Sequence, residues 1–267
     1  MTLGGRRLAA AGLMRRANVR GFGSSSTPPV VLSELLALMA VGSRVAAWWE
    51  VGVSTETLTG QGFARIDNLG ADAWHPVQAT DTRRPAKDTT GGPLGDACMS
   101  FAGTDDRLTT NDITIASGKA LFCIAVAKGV EAGVARQQGS MRTGTTEAAG
   151  DVVFNCIDAA TANYIATCRS AGDAEENVTI TTPAHSTGWY KRTIRYAEST
   201  PVASEINDVA ISPALVLSDG FANAVETITF GATTTAAGKL KLWGIFEAVT
   251  AEEEALIHRY VYQRTGL

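Results

Sequence analysis

Alternation of apolar and polar positions with a period of two recurs from Val45 onward and predicts strands, while only two stretches carry a helical period. The run from Gly238 to Glu247 alternates most clearly, with Leu240, Leu242 and Phe246 on one face and Lys239, Lys241 and Glu247 on the other, beside Trp243 and Ile245. At Thr250 the period changes. Its hydroxyl can accept from a free amide of a first helical turn while Glu253 reaches back, a capping box. Glu252, Glu253 and Glu254 suit the positive end of a helix dipole, His258, Arg259 and Arg264 the negative end, and Gly266 the residue after the last turn. Leu256, Ile257, Tyr260 and Val261 form the apolar stripe. The second helical stretch, residues 33–42, has Ser33 as its predicted N-cap and Gly42 as its stop.

Between these helices the pattern predicts about a dozen strands at sandwich spacing. Residues 120–127 are apolar at every position, as in a central strand covered on both faces. Residues 151–157 and 163–168 predict a hairpin, and 188–196 and 225–231 further strands; Gly129 to Gly150 reads as a Gly-rich loop. Residues 55–94 are rich in turn formers, so a binding loop is expected there, with extended pieces only at 63–66 and 74–77.

Four stretches resemble one family. The close of the chain (Gly244-Ile245-Phe246-Glu247, the Thr250 helix, then Tyr260-Val261-Tyr262-Gln263-Arg264-Thr265-Gly266-Leu267) is similar to the end of laminin-G-like, concanavalin A-like jelly-roll domains, with Val261 where the family has Leu and Arg264-Thr265-Gly266 for its Lys-Tyr-Gly. Phe101-Ala102-Gly103-Thr104-Asp105-Asp106-Arg107-Leu108 resembles the family's Phe-Asp-Gly-x-Asp-Asp-x-Leu segment, with Ala102 for the Asp. Trp189 opens a strand like one of the family's, and Glu205-Ile206-Asn207-Asp208 is the nearest match to the strand ending in Asn-Gly that follows. Many such domains occur in bacteriophage virion proteins. The resemblance, over roughly Trp48 to Leu267, implies an all-β fold, an antiparallel two-sheet jelly-roll sandwich, to which composition and pattern add an N-terminal arm and a short helix at each end. It also implies a virion subunit, a fibre, spike or decoration component on head or tail, assembled in the host cytoplasm. The alternative is a lectin-like module recognising cell-surface glycans.

Composition sharpens this picture at the N-terminus. Residues 1–33 read as an arm and linker and 34–267 as the sandwich domain. The arm carries Arg6, Arg7, Arg15, Arg16 and Arg20, with no acidic residue before Glu34, and cannot pack on itself. It is expected to dock on other virion proteins, or on a second copy in a homo-oligomer; the same composition also resembles an organellar transit peptide. A net charge of −4 argues against nucleic acid as the main partner, and no apolar run is long enough for a membrane span.

Chemistry-bearing patterns are sparse. A glucanase of this fold needs carboxylates at i, i+2 and i+4 of one strand, and the nearest spacing, Asp173-Ala174-Glu175, reads as a turn, so no enzymatic activity is expected. His75, His185 and His258 are isolated and read as surface or loop residues. Asp105 and Asp106 are weak calcium candidates beside the simpler reading of an Asx turn, and no cofactor is expected. Cys98, Cys123, Cys156 and Cys168 lack metal-site spacing; Cys156 and Cys168 flank the predicted hairpin, either as a disulfide or as buried thiols. Of the five tryptophans, Trp48, Trp49, Trp189 and Trp243 read as core. Trp74, with Asp72 and His75 beside it, is the candidate for stacking on a host glycan.

Overall fold

The computed structural model describes residues 31–42, 44–102, 105–110, 113–129, 136–143, 152–158, 163–169, 175–197, 200–215, 224–232 and 237–267. Helix α1 (Leu32–Met39) leads into β1 (Ala46–Glu50), β2 (Glu56–Thr59), β3 (Gly62–Ile66), β4 (Ala86–Asp88), β5 (Cys98–Phe101), β6 (Arg107–Thr110), β7 (Leu121–Lys128) and β8 (Arg136–Thr143). Then follow β9 (Val152–Asp158), β10 (Tyr164–Arg169), β11 (Glu175–Ile180), β12 (Trp189–Ala197), β13 (Thr200–Ile206), β14 (Val209–Ala210), β15 (Val225–Gly231), β16 (Gly238–Glu247) and helix α2 (Ala251–Thr265).

All the paired strands are antiparallel and fall into two sheets. The larger runs β14-β13-β12-β7-β16-β5-β4-β3-β2, with β1 also on β16, and the smaller runs β11-β10-β9-β8-β15-β6. Strand β16 is long enough to hold two neighbours on one edge: β5 along Gly238–Leu240 and β1 along Leu242–Phe246. The expected sandwich is therefore present, with a third layer. Both helices lie on the outer face of the large sheet.

Strand β7 shows how both faces come to be covered. Leu121, Cys123, Ala125 and Ala127 join the core between the sheets, while Phe122, Ile124 and Val126 join a second core with Leu35, Leu38, Met39, Ile257, Tyr260 and Val261 of the helices. Strand β16 departs from simple alternation. Leu240 pairs with Ala127 but Leu242 with Val126, so Lys241 is an extra residue, a bulge. The bulge reverses the parity: Leu240 shares the inner core with Trp243 and Ile245, while Leu242 and Phe246 face the helices. Two expectations are corrected here. Leu240 is not on the Leu242 face, Lys241 is buried at 1% exposure, and its ammonium donates to Val51 O (2.7 Å), Ala97 O (2.9 Å) and Asp96 (2.7 Å).

The expected Gly-rich loop at 129–150 contains strand β8. Its apolar content is low, yet Gln137, Gln138, Ser140, Met141 and Thr143 are all buried. Pairing with β9 and β15 satisfies its backbone, and Gly139 lets the sheets approach, because a Cβ there would overlap the Trp243 ring. Conversely, the stretch expected to be extended at 74–77 contributes only two isolated bridges at Val77, to Arg65 and to Thr109. Helix α1 starts at Leu32 with Val31 as its N-cap and no side-chain cap, so Ser33 lies inside the first turn; Gly42 takes the left-handed conformation beyond the helix end.

Candidate functional site

Helix α2 is held in place before any site can be built on it. The Thr250 hydroxyl accepts from Glu253 N and the Glu253 carboxylate from Thr250 N, the full capping box, and Gly266 closes the helix at φ 75°. Arg44 forks onto the same Glu253 at 2.8 and 3.0 Å, and this hydrogen-bonded pairing holds the Glu253 carboxyl below the ordinary glutamate range. At about 100° per residue, Tyr260 and Arg264 lie on one flank of the Ile257/Val261 stripe, and Glu254 and His258 on the other.

The first flank faces β1. Glu50 is 0% exposed, and its carboxylate accepts from Tyr260 OH (3.0 Å), Trp48 Nε1 (3.2 Å) and Arg264 Nε (2.7 Å). Burial, then the adjacent Glu50 charge, pushes the Tyr260 phenol well above its ordinary value, so it stays a donor. Glu50, Tyr260 and Trp48 are closed to solvent, and only the Arg264 side chain reaches it, at 39% exposed.

The second flank opens into a groove of about 480 Å³ between α2 and the β12–β14 edge, walled by Ala251 and Ala255. Strand register puts Lys191, Thr193 and Arg195 of β12 on the outer face, opposite Val126, Ile124 and Phe122 of β7. Arg195 Nε donates to Glu254 at 2.8 Å, a terminal nitrogen contacts the same carboxylate, and the other lies 3.4 Å from Glu205. Its guanidinium stands 5.5 Å from the Phe122 ring centre, and the Glu254 hydrogen bond raises its pKa further. Glu205 also accepts from the Thr193 hydroxyl at 3.3 Å.

The rim is a tight hairpin. Asn207 and Asp208 both adopt left-handed backbone (φ 52° and 62°), the geometry of the turn that an Asn-Gly pair forms between strands. Asn207 Oδ1 accepts from Lys191 N at 2.8 Å, and the Asp208 carboxylate receives the Lys191 ammonium at 2.8–2.9 Å. His258 completes the line, with Nδ1 3.6 Å from Asp208 and Nε2 3.5 Å from Glu254. Burial, reinforced by Lys191, lowers its pKa from 6.5, so the ring is neutral near pH 7. The groove thus holds fixed donors and acceptors side by side, able to exchange hydrogen bonds with a polar ligand.

The residues singled out in the sequence lie elsewhere. Trp74 is 8% exposed in the inter-sheet core, and its carbonyl accepts from Trp49 Nε1, which leaves no ring face for a pyranose. His75 Nδ1 accepts from Asn68 N, and the Asp72 carbonyl from the Asn68 amide. Asp106 accepts from a backbone amide four residues earlier, Ala102 N at 2.8 Å, and Asp105 pairs with Arg83 at 3.0 Å. Among the described residues no group of three His, Cys, Asp or Glu could hold a metal ion. Cys98 and Cys123 are buried free thiols, with burial raising Cys98 to about 11. Arg6, Arg7, Arg15, Arg16, Arg20 and Asp173, and the side chains of Glu175, Cys156 and Cys168, lie outside the described residues. His258, expected as an isolated surface residue, sits instead in the groove. Its i, i+4 spacing from Glu254 was the available signal.

No family model and no curated protein matches the chain. Solved structures do. The binding domain of Paraclostridial Mosquitocidal Protein 1 superposes with a TM-score of 0.56 at 10% identity, over 85% of this chain and 53% of that one. Trypanosoma rangeli sialidase in complex with the inhibitor DANA gives 0.51 at 8% identity, over 87% and 35%. The likeness is one of β-sandwich fold, and the chain spans about a third to a half of the chains it matches.

Proposed function

We propose that this chain is a non-catalytic sandwich subunit of a bacteriophage particle, a fibre, spike or decoration component on head or tail, docked through its Arg-rich residues 1–33. The observation that carries this reading is the outer side of α1. Its inner residues Leu35, Leu38 and Met39 are buried, while Val31, Leu36 and Val41 are 50%, 37% and 50% exposed, continuous in sequence with the five arginines. Exposed Leu36 on the helix, with exposed Val31 and Val41 just beyond its two ends and a cationic segment before them, has elements of a subunit interface, with apolar anchors at the centre and arginine reaching carboxylates on a neighbour. The resemblance at residues 101–108 and 240–267 supports the phage assignment. The test is co-sedimentation of the full chain, a deletion of residues 2–29 and Leu36→Glu with the remaining particle. Both variants are expected to stay folded and to be lost from the particle; incorporation equal to the full chain overturns the reading.

A second reading, recognition of cell-surface glycans, is favoured by the α2 groove and is compatible with the first. Printing the purified chain against a glycan array tests it directly.

A further inference from the structure

Resting on that second reading, we infer that the groove between α2 and the Asn207-Asp208 hairpin is the glycan site, and that it takes a neutral, hydroxyl-rich pyranose rather than an acidic sugar. The charges decide the class. Glu205, Asp208 and Glu254 oppose Lys191 and Arg195, with His258 neutral, so the groove carries one net negative charge. Both cations are already committed: Arg195 to Glu254 and Glu205, Lys191 to Asp208. A sialyl, uronyl or sulfate group would meet three carboxylates and no uncommitted cation. A hydroxyl pair meets what it needs. Each carboxylate has about four acceptor positions, so one engaged by a single cation still accepts from sugar hydroxyls. The methyl walls of Ala251 and Ala255 allow close approach of the sugar's C–H face in this open, shallow groove.

Lys191 separates this site from an ordinary surface ion pair. Its side chain is 3% exposed, whereas that of its partner Asp208 is 61% exposed. Burying an ammonium costs several kcal/mol even after relaxation, and an apolar residue at 191 would simply extend the face that Val126 and Ile124 begin. Placed there, the ammonium instead fixes an exposed carboxylate on a turn whose two central residues are both left-handed. Preorganised polar groups lose little entropy on binding, which is what weak sugar recognition requires.

The experiment is a glycan array with the full chain, followed by titration calorimetry of the best ligand with Glu205→Gln, Glu254→Gln and, as a control, Asp72→Asn, each checked for an unchanged thermal midpoint. Neutral glycans are expected to bind, with losses on the order of tenfold or more in the two groove variants and none in Asp72→Asn. Binding at full strength in both groove variants overturns the site while leaving glycan recognition standing. Preference for sialylated or sulfated glycans overturns the ligand class. No binding to any glycan overturns the second reading, and this inference with it.

Discussion

Helix α2 carries an ionic cluster on each flank, and the two obey different physics. On the β1 side, Glu50 is fully buried and each contact from Tyr260, Trp48 and Arg264 ties the helix to a strand. On the β12 side, Arg195, Glu205, Glu254 and His258 are each about a fifth to a quarter exposed, and Asp208 more so. A buried charge is costly to leave unpaired, so the closed cluster is a lock. Water can replace a lost partner at every group of the open one except the buried Lys191, which frees it for recognition.

Removing the centre of the lock should have the largest effect. Glu50→Ala leaves the buried Tyr260 hydroxyl and Trp48 indole N–H without their acceptor, while the Arg264 guanidinium, on a side chain 39% exposed, can turn to water, so a cost of about 2–4 kcal/mol is expected in urea unfolding. A loss below about 1 kcal/mol would erase the distinction between the flanks. Tyr260→Phe deletes one hydrogen bond to a charged group and keeps the ring that packs edge-on to Trp48, so about 1.5–3 kcal/mol is expected from the same measurement. Thr250→Ala removes the cap shared by both flanks, and should lower stability by about 1 kcal/mol. On the open flank, Glu205→Gln is expected to change stability by less than about 1 kcal/mol. A thermal midpoint that falls as far as in Glu50→Ala would show the groove to be structural.

The smallest effect is a pH dependence. The folded pKa of His258 is depressed, so the native state binds fewer protons than the unfolded chain below pH 6.5. Its contribution to stability is fully present above that pH and is lost as pH falls through the folded pKa. His258→Gln should flatten this slope in urea titrations across the acidic side of 6.5, and an unchanged slope would remove His258 from the account.

Some of this was legible in the residues themselves because the causes are local. The capping box at Thr250 and Glu253, the left-handed Gly266 and the alternate packing of residues 121–127 on two cores depend on neighbours within a turn or a strand. Asn207-Asp208 read only as the end of a strand, yet the tight hairpin they form is local too, because both residue types tolerate the left-handed region. What the tertiary structure alone decided depends on pairing between distant segments. The bulge at Lys241 exists only in register with β7, and it moves Leu240 to the opposite core. Strand β8 is polar by composition and becomes a strand because β9 and β15 bond both its edges. Trp74, in a stretch that read as loose, is drawn into the core by two sheets that fold over it. The groove joins Arg195 to Glu254 across 59 positions of chain. A period of two or of 3.6 tells each segment which face to bury, but only the packing of α2 between β1 and β12 determines which charges meet, because an ion pair is set by distance in space and leaves no period in the sequence.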